Sequence, residues 1–305
     1  MDELITLRTM RSEAEEPDAR RLSPAFERLE RKMAGASARR RPARARWVLV
    51  AVGTTAAAAI VIGQVSVTVQ SAQAAEVLHI AAGQTGRLAD PVPGPGQYLL
   101  VRTHADWGVS EQDDSGNDTF HMNLQTIDIY VPADDDQEWV LDRDWGESGE
   151  RELIRANDGA FYGSPWLSTD LDALPSDGQS LLDHFNSEYN GGSASRDEDN
   201  FVRILDLLRT GLVPANLRAG LYEALALIPN VTIGDRQANL DGRTGIAIGR
   251  TEPLRGGMRQ EIIIDPETGL VIGERDVMTV AAFGFGINQV IGWTAVETTV
   301  VDSAP

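Results

Sequence analysis

Four histidines, His79, His104, His121 and His184, are the side chains best suited to metal binding or proton transfer, and no two stand four apart. The chain has no cysteine, so thiolate ligands, thiol nucleophiles and disulfides are all absent. No Gly-x-Ser-x-Gly, Walker A or Gly-x-Gly-x-x-Gly context occurs. Phe283-Gly-Phe-Gly286 lacks the strand–loop–helix frame of a phosphate loop and reads as a loop or bulge. Asp113-Asp114-Ser-Gly-Asn-Asp118 is rich in oxygen ligands. An EF-hand register with Gly116 sixth would nevertheless place Met122 where a bidentate Glu is required. Asp134-Asp135-Asp136 reads as a solvated turn. Carboxylate pairs for glycoside chemistry stay open, because their separation is a tertiary quantity. Trp107, Trp139, Trp145, Trp166 and Trp293 could line an apolar pocket for lipid or glycan, or pack a core. The expectation is no catalytic, cofactor or metal residue, and no enzymatic reaction.

Several kinds of element must position these residues. From Gln97 the apolar period is two: Tyr98, Leu100 and Arg102 alternate with Leu99, Val101 and Thr103. Phe120, Met122 and Leu124 follow, and after Gln125-Thr126 the phase moves to Ile127, Ile129 and Val131, which predicts a bulge. Short strands are expected near Trp139–Leu141 and Glu152–Arg155. The middle is helical over 176–189, 197–210 and 214–228, each segment ending at glycine or proline. Strands return at Val231–Ile233, Gly245–Ile248, Arg259–Asp265, Leu270–Thr279 and Val290–Val301. Asp265-Pro-Glu-Thr-Gly269 has the chemistry of a tight turn and predicts a hairpin over 259–277. Strands, then about three inserted helices, then strands indicate an α+β domain with an antiparallel sheet.

Ahead of this domain stands Trp47–Val69, WVLVAVGTTAAAAIVIGQVSVTV, without a charge. At ~1.5 Å per residue a helix of that length covers a hydrocarbon core of roughly 30 Å. Arg39, Arg40, Arg41, Arg44 and Arg46 precede it, with Trp47 at the boundary, which places the N-terminus in the cytoplasm and the C-terminal domain outside. The expected organisation is a cytoplasmic tail (1–46), a transmembrane helix (47–69), a linker (70–96) with one or two helical turns over Ala74–Ala82 that put Val77, Ile80 and Ala81 on one side, and an extracytoplasmic domain (97–305). Ala72-Gln73-Ala74 also fits a signal-peptidase site, so a cleaved signal is the competing reading.

Charge divides at the same place. The tail carries a balance of +4 and residues 70–305 a balance of −23. So acidic an outer domain repels nucleic acid and anionic lipid heads; the expected partners of the chain are the lipid bilayer, through its span, and an unknown envelope ligand. In the tail, Ser23-Pro24 opens a short helical pattern that puts Leu22, Phe26, Leu29 and Met33 on one stripe, opposite charged residues. A helix that short gains order by docking, on a protein or on the inner membrane surface; the alternative is a disordered spacer.

The opening MDELITLRTMR, the arginine run, the single span, Ala75-Glu-Val-Leu78, LLRTGLVPANLRAGLYEALALIPNVTI and EIIIDPETGLVIGERDV together resemble an actinobacterial family of single-pass membrane proteins of unknown activity. Its members are often encoded beside extracytoplasmic-function sigma factors. The resemblance covers nearly the whole chain, but its motifs are turns and helix stripes. It implies an anti-sigma-like regulator whose tail holds a cytosolic sigma factor. With neither Cys nor His before residue 79, such a contact would be metal-free. More loosely, the outer domain is similar to the lipoprotein-carrier-like domains of envelope-stress regulators. The expectation is therefore a membrane-anchored envelope sensor; the alternative is an extracytoplasmic carrier of lipid, peptide or glycan that signals nothing.

Overall fold

The computed structural model describes residues 55–112, 118–134, 136–252, 255–282 and 285–305. The expected tail stripe (Leu22, Phe26, Leu29, Met33), the flanking arginines, Trp47 and the rest of the expected span up to residue 54 lie outside the described residues, as do residues 113–117 of the acidic loop. Among the described residues no helix is long and apolar enough to cross a membrane.

The first element, helix α1 (Thr55–Thr85), runs through the segment expected to be a linker. The helix extends well beyond the one or two turns expected over 74–82, for a physical reason. Ala74, Leu78, Ala81, Ala82 and Thr85 fall on one helical stripe and are all buried. The small side chains let α1 lie close against its neighbours, so residues 70–85 are held by packing instead of spanning a gap.

Nine strands follow in one antiparallel sheet. They are β1 (Tyr98–Gln112), β2 (Asp118–Pro132), β3 (Trp139–Asp144), β4 (Arg151–Ala156), β5 (Thr232–Leu240), β6 (Arg243–Thr251), β7 (Met258–Ile264), β8 (Val271–Met278) and β9 (Val290–Val301). Their order is β4-β3-β2-β1-β9-β8-β7-β6-β5. Two meanders, β1–β4 and β5–β9, are thus joined by pairing of the first strand with the last. Three helices, α2 (Gly178–Glu188), α3 (Arg196–Leu208) and α4 (Ala215–Leu227), connect the meanders. The α+β class, the antiparallel sheet, the three inserted helices and the 259–277 hairpin are as expected.

The bulge expected near Gln125-Thr126 is absent: β1 and β2 stay in one register from Tyr98↔Pro132 to Gln112↔Asp118. The two apolar sets on β2 instead face opposite sides. Ile127 and Ile129 are buried in the main core, whereas Leu124 is 55% exposed on the other face. Strand β3 covers β2 only over Thr126–Tyr130, so apolar residues beyond that point need not face the core. Sequence also missed the β5–β6 connection, a two-residue turn in which Asp241 and Gly242 both have positive φ. That pair suits the twist of a hairpin.

Caps fix the helix starts. The Asp177 carboxylate accepts from Ser180 N–H at 2.9 Å, and Ser195 Oγ accepts from Glu198 N–H at 3.1 Å. Helix α4 is the hub of the helical layer, touching α1, α2 and α3. Burial runs around most of it, from Leu217 and Leu221 to Arg218 and Tyr222. Gly220 permits this crowding: a Cβ there would come within 2.1 Å of the Ser176 carbonyl oxygen.

Arg218 ties α4 to the chain leaving α1. Its Nε donates to Thr85 Oγ1, Nη1 to the Val213 carbonyl at 2.8 Å, and Nη2 to Asp90 at 2.8 Å. The other Asp90 oxygen accepts from Ala215 N–H at 2.7 Å, where the N-terminal dipole of α4 favours an anion. Removing the guanidinium strands three acceptors, two of them well buried. Arg218→Met is expected to cost about 2 to 3 kcal/mol of stability, read as a lower denaturation midpoint with an unchanged m-value. An unchanged midpoint would show that the network does not hold α1 in place.

Candidate functional site

The sheet has unequal faces. On one, β1–β4 carry a ladder of bidentate ion pairs: Arg102 to Asp128 at 2.8 and 2.6 Å, and Arg151 to Asp142 at 2.7 and 2.5 Å. Asp128 and Asp142 are cross-strand partners, and each is neutralised by its own arginine. This is a solvated face. Farther along it a small cluster of Leu240, Ile263, Ile272 and Ala295 packs against Trp293.

The other face bears the main core and the helices. The helical layer does not close over β1, β2, β3 and β9, and a cleft of about 880 Å³ remains. Its floor is formed by Thr103, Trp107, Ile127, Arg143 and Thr294. Its roof comes from the 166–174 loop, from His184, Phe185 and Glu188 of α2, and from Leu207 and the arginines of α3. That volume lies within the range of small-molecule and cofactor sites.

The roof loop is pinned by Gly159, whose φ of +66° suits glycine and whose missing side chain leaves room for Trp139 and Trp166. Trp166 N–H donates to the Gly159 carbonyl at 3.0 Å, and the Trp166 ring meets Phe161 edge-on at 6.3 Å. The tryptophans therefore divide between the two expected uses. Trp107 and Trp166 line the cleft, Trp139 packs on the core, and Trp145 lies beneath Arg143.

The histidines stay apart, as their spacing implies. His104 meets Asp241 at 2.7 Å, His121 approaches Glu147 at 3.9 Å, and His184 on the cleft wall approaches Glu188 at 3.6 Å. Among the described residues no group of three His, Asp or Glu side chains could hold a metal ion.

Trp107 and Thr294 also wall a hollow of about 40 Å³ lined by Glu274 and Asp276, neighbours on one face of β8. Burial pushes the Glu274 carboxyl up to about 7. The Arg209 charge 3.7 Å away opposes this, and Asp276 and Asp206 add to it. Burial likewise pushes Asp276 up to about 6, against Arg255. Sequence reasoning missed both, since an acid inside a strand gives no sign of which face it takes.

No family model matches this chain, and no curated protein matches it. Solved structures similar to it include the following three. One is MucB of Pseudomonas aeruginosa in the MucA/MucB complex, at 10% identity over 76% of this chain and 58% of that chain, with a TM-score of 0.29. A second is MucB in complex with MucA(peri), at 11% identity over 76% and 57%, with a TM-score of 0.30. The third is a LolA superfamily protein of Nitrosomonas europaea, at 8% identity over 75% and 94%, with a TM-score of 0.17. The chain spans less than three-fifths of the two MucB chains. Similarity at this level leaves the neighbours' partners with the neighbours.

The raised carboxyls imply a pH dependence with a definite sign. An acid with a folded pKa above its unfolded value stabilises the fold while protonated, and that contribution is lost as pH rises through the folded value. In Glu274→Gln the group cannot ionise. The variant is expected to gain stability relative to wild type as pH rises from about 5 to about 8, read by paired denaturant titrations. A difference independent of pH would show that Glu274 is ionised throughout.

Proposed function

We propose that this chain is a membrane-anchored envelope sensor whose extracytoplasmic domain takes an apolar or amphiphilic ligand into the cleft between sheet and helices. The observation that carries the reading is the cleft itself: about 880 Å³, with Trp107, Ile127, Phe185 and Leu207 presenting apolar surface and arginines beside them. Such a site excludes water from a chain or ring while leaving charged groups at its margin.

The route from ligand to tail is α1. Its C-terminal half is packed against α4 and β5, and α4 in turn contacts α2 and α3, which roof the cleft. Its N-terminal residues belong to the apolar stretch proposed to cross the bilayer, so a shift in the helical layer can reach the membrane through one continuous helix. The tail stripe Leu22, Phe26, Leu29 and Met33 would then present a helix to a groove on a cytosolic partner, proposed to be a sigma factor. A carrier without signalling is the second reading, favoured by the same cleft and distinguished by the tail.

Two substitutions separate these readings. Thr103→Trp fills the cleft from its floor and is expected to reduce retention of a co-purified apolar ligand at least about tenfold, measured by native mass spectrometry on folded protein. Retention at wild-type level would place the ligand elsewhere. Phe26→Asp with Leu29→Asp is expected to abolish co-purification of the sigma factor and to change sigma-dependent transcription, with ligand retention untouched. If transcription does not respond, the carrier reading stands and the sensor reading falls. Protease digestion of spheroplasts with both ends tagged tests the anchor: a protected N-terminal tag and a digested outer domain are expected.

A further inference from the structure

Three arginines reach the cleft, and two of them are already matched by acids. Arg203 meets Glu188 and Asp199, each at 2.8 Å. Arg209 meets Asp206 at 2.9 Å and stands 3.7 Å from Glu274. Arg143, on the floor, differs. Among the described residues, no carboxylate lies within ion-pair distance of it. Its Nε and Nη2 both donate to the Gln125 amide oxygen, at 3.2 and 2.8 Å, and its guanidinium carbon lies 3.4 Å from the centre of the Trp145 ring. Glu152, its cross-strand partner on β4, accepts from the Tyr162 hydroxyl at 2.7 Å, and that hydroxyl also lies beside the Arg143 guanidinium.

This arrangement fixes a guanidinium in orientation without neutralising it. Stacking on an indole holds the plane, and Gln125, which is 6% exposed, holds one edge. Gln125 is neutral, so the positive charge remains, on a half-buried side chain at the cleft floor. Immediately across the sheet from Arg143, in register on β2, is Ile127, which begins the apolar floor leading to Trp107. A cation therefore stands at one end of an apolar track.

We infer that Arg143 is the head-group subsite of the cleft, and that the ligand is an anionic amphiphile with a carboxylate or phosphate on the guanidinium and an apolar chain across Ile127, Trp107, Phe185 and Leu207. This rests on the reading that the cleft binds a ligand. The planar fork of arginine matches both anions, and a charge-assisted bond favours either over a neutral head of the same shape. Trp145 and Gln125 are positioning residues that aim the fork.

The test uses the full-length protein in amphipol and three probes: oleate, oleyl alcohol and inorganic phosphate. Retention is read by native mass spectrometry. Wild type is expected to hold oleate about tenfold or more tighter than oleyl alcohol, a comparison that needs no variant. In Arg143→Gln, oleate should fall to the oleyl alcohol level while oleyl alcohol is unchanged. Arg143→Lys should recover part of the preference. Equal retention of the two lipids by wild type, or a preference that survives Arg143→Gln, overturns the head-group assignment while the cleft reading stands. Inorganic phosphate held as tightly as oleate overturns the amphiphile assignment and makes Arg143 a simple anion site. Retention of neither lipid removes the cleft reading, and this inference with it.

Discussion

The pairing of β1 with β9 is the constraint on which the rest of the domain depends. It joins the first strand to the last over ten residue pairs, from Tyr98↔Val301 to Trp107↔Gly292. Without it the two meanders are separate four- and five-stranded ribbons, and the helices between them have no common floor. The cleft crosses this seam: Thr103 and Trp107 come from β1, Thr294 from β9, Ile127 from β2 and Arg143 from β3. Contacts so distant in sequence carry a large loop-closure entropy and must be repaid by burial on the helix face.

The helix face supplies that burial unevenly, and the unevenness makes the site. Under α4 the packing is tight enough to require glycine at position 220. Toward β1–β3 the layer consists of a loop and the amphipathic helices α2 and α3, whose charged edges are committed to one another. Arg203 joins α3 to α2 through Glu188, and Arg209 binds Asp206 within its own last turns. Those edges line the cleft that remains between the helices and the sheet.

Electrostatics follow the same division. The solvated face of β1–β4 places acids side by side and neutralises each with a bidentate arginine. The covered face keeps two acids, Glu274 and Asp276, at raised pKa values where water is scarce, and one arginine, Arg143, with only a neutral partner. Charges left unmatched on a covered face are costly for stability, which makes their presence informative about ligand chemistry.

What the sequence determined by itself was local. Helix stripes with glycine or proline stops such as Pro229, period-two strands, and the Asp265–Gly269 turn are written within a few residues of where they act, because backbone hydrogen bonding and side-chain periodicity are short-range. The α+β class followed from their order. Tertiary structure decided what those patterns touch. The stretch after the apolar segment read as only one or two helical turns with Val77, Ile80 and Ala81 on one side, because alanine stripes give little periodic signal; Leu78 and its alanines are buried against α4 and β5, and Ile80 is exposed. The phase change on β2 looked like a bulge because apolar residues were assumed to share a face. That Arg143 and Trp107 belong to one cleft, and that Glu274 lies beneath Arg209, depends on strand order and on β1 meeting β9. No local pattern encodes a contact made across some two hundred residues of chain, because its energy is realised only once both strands are in place.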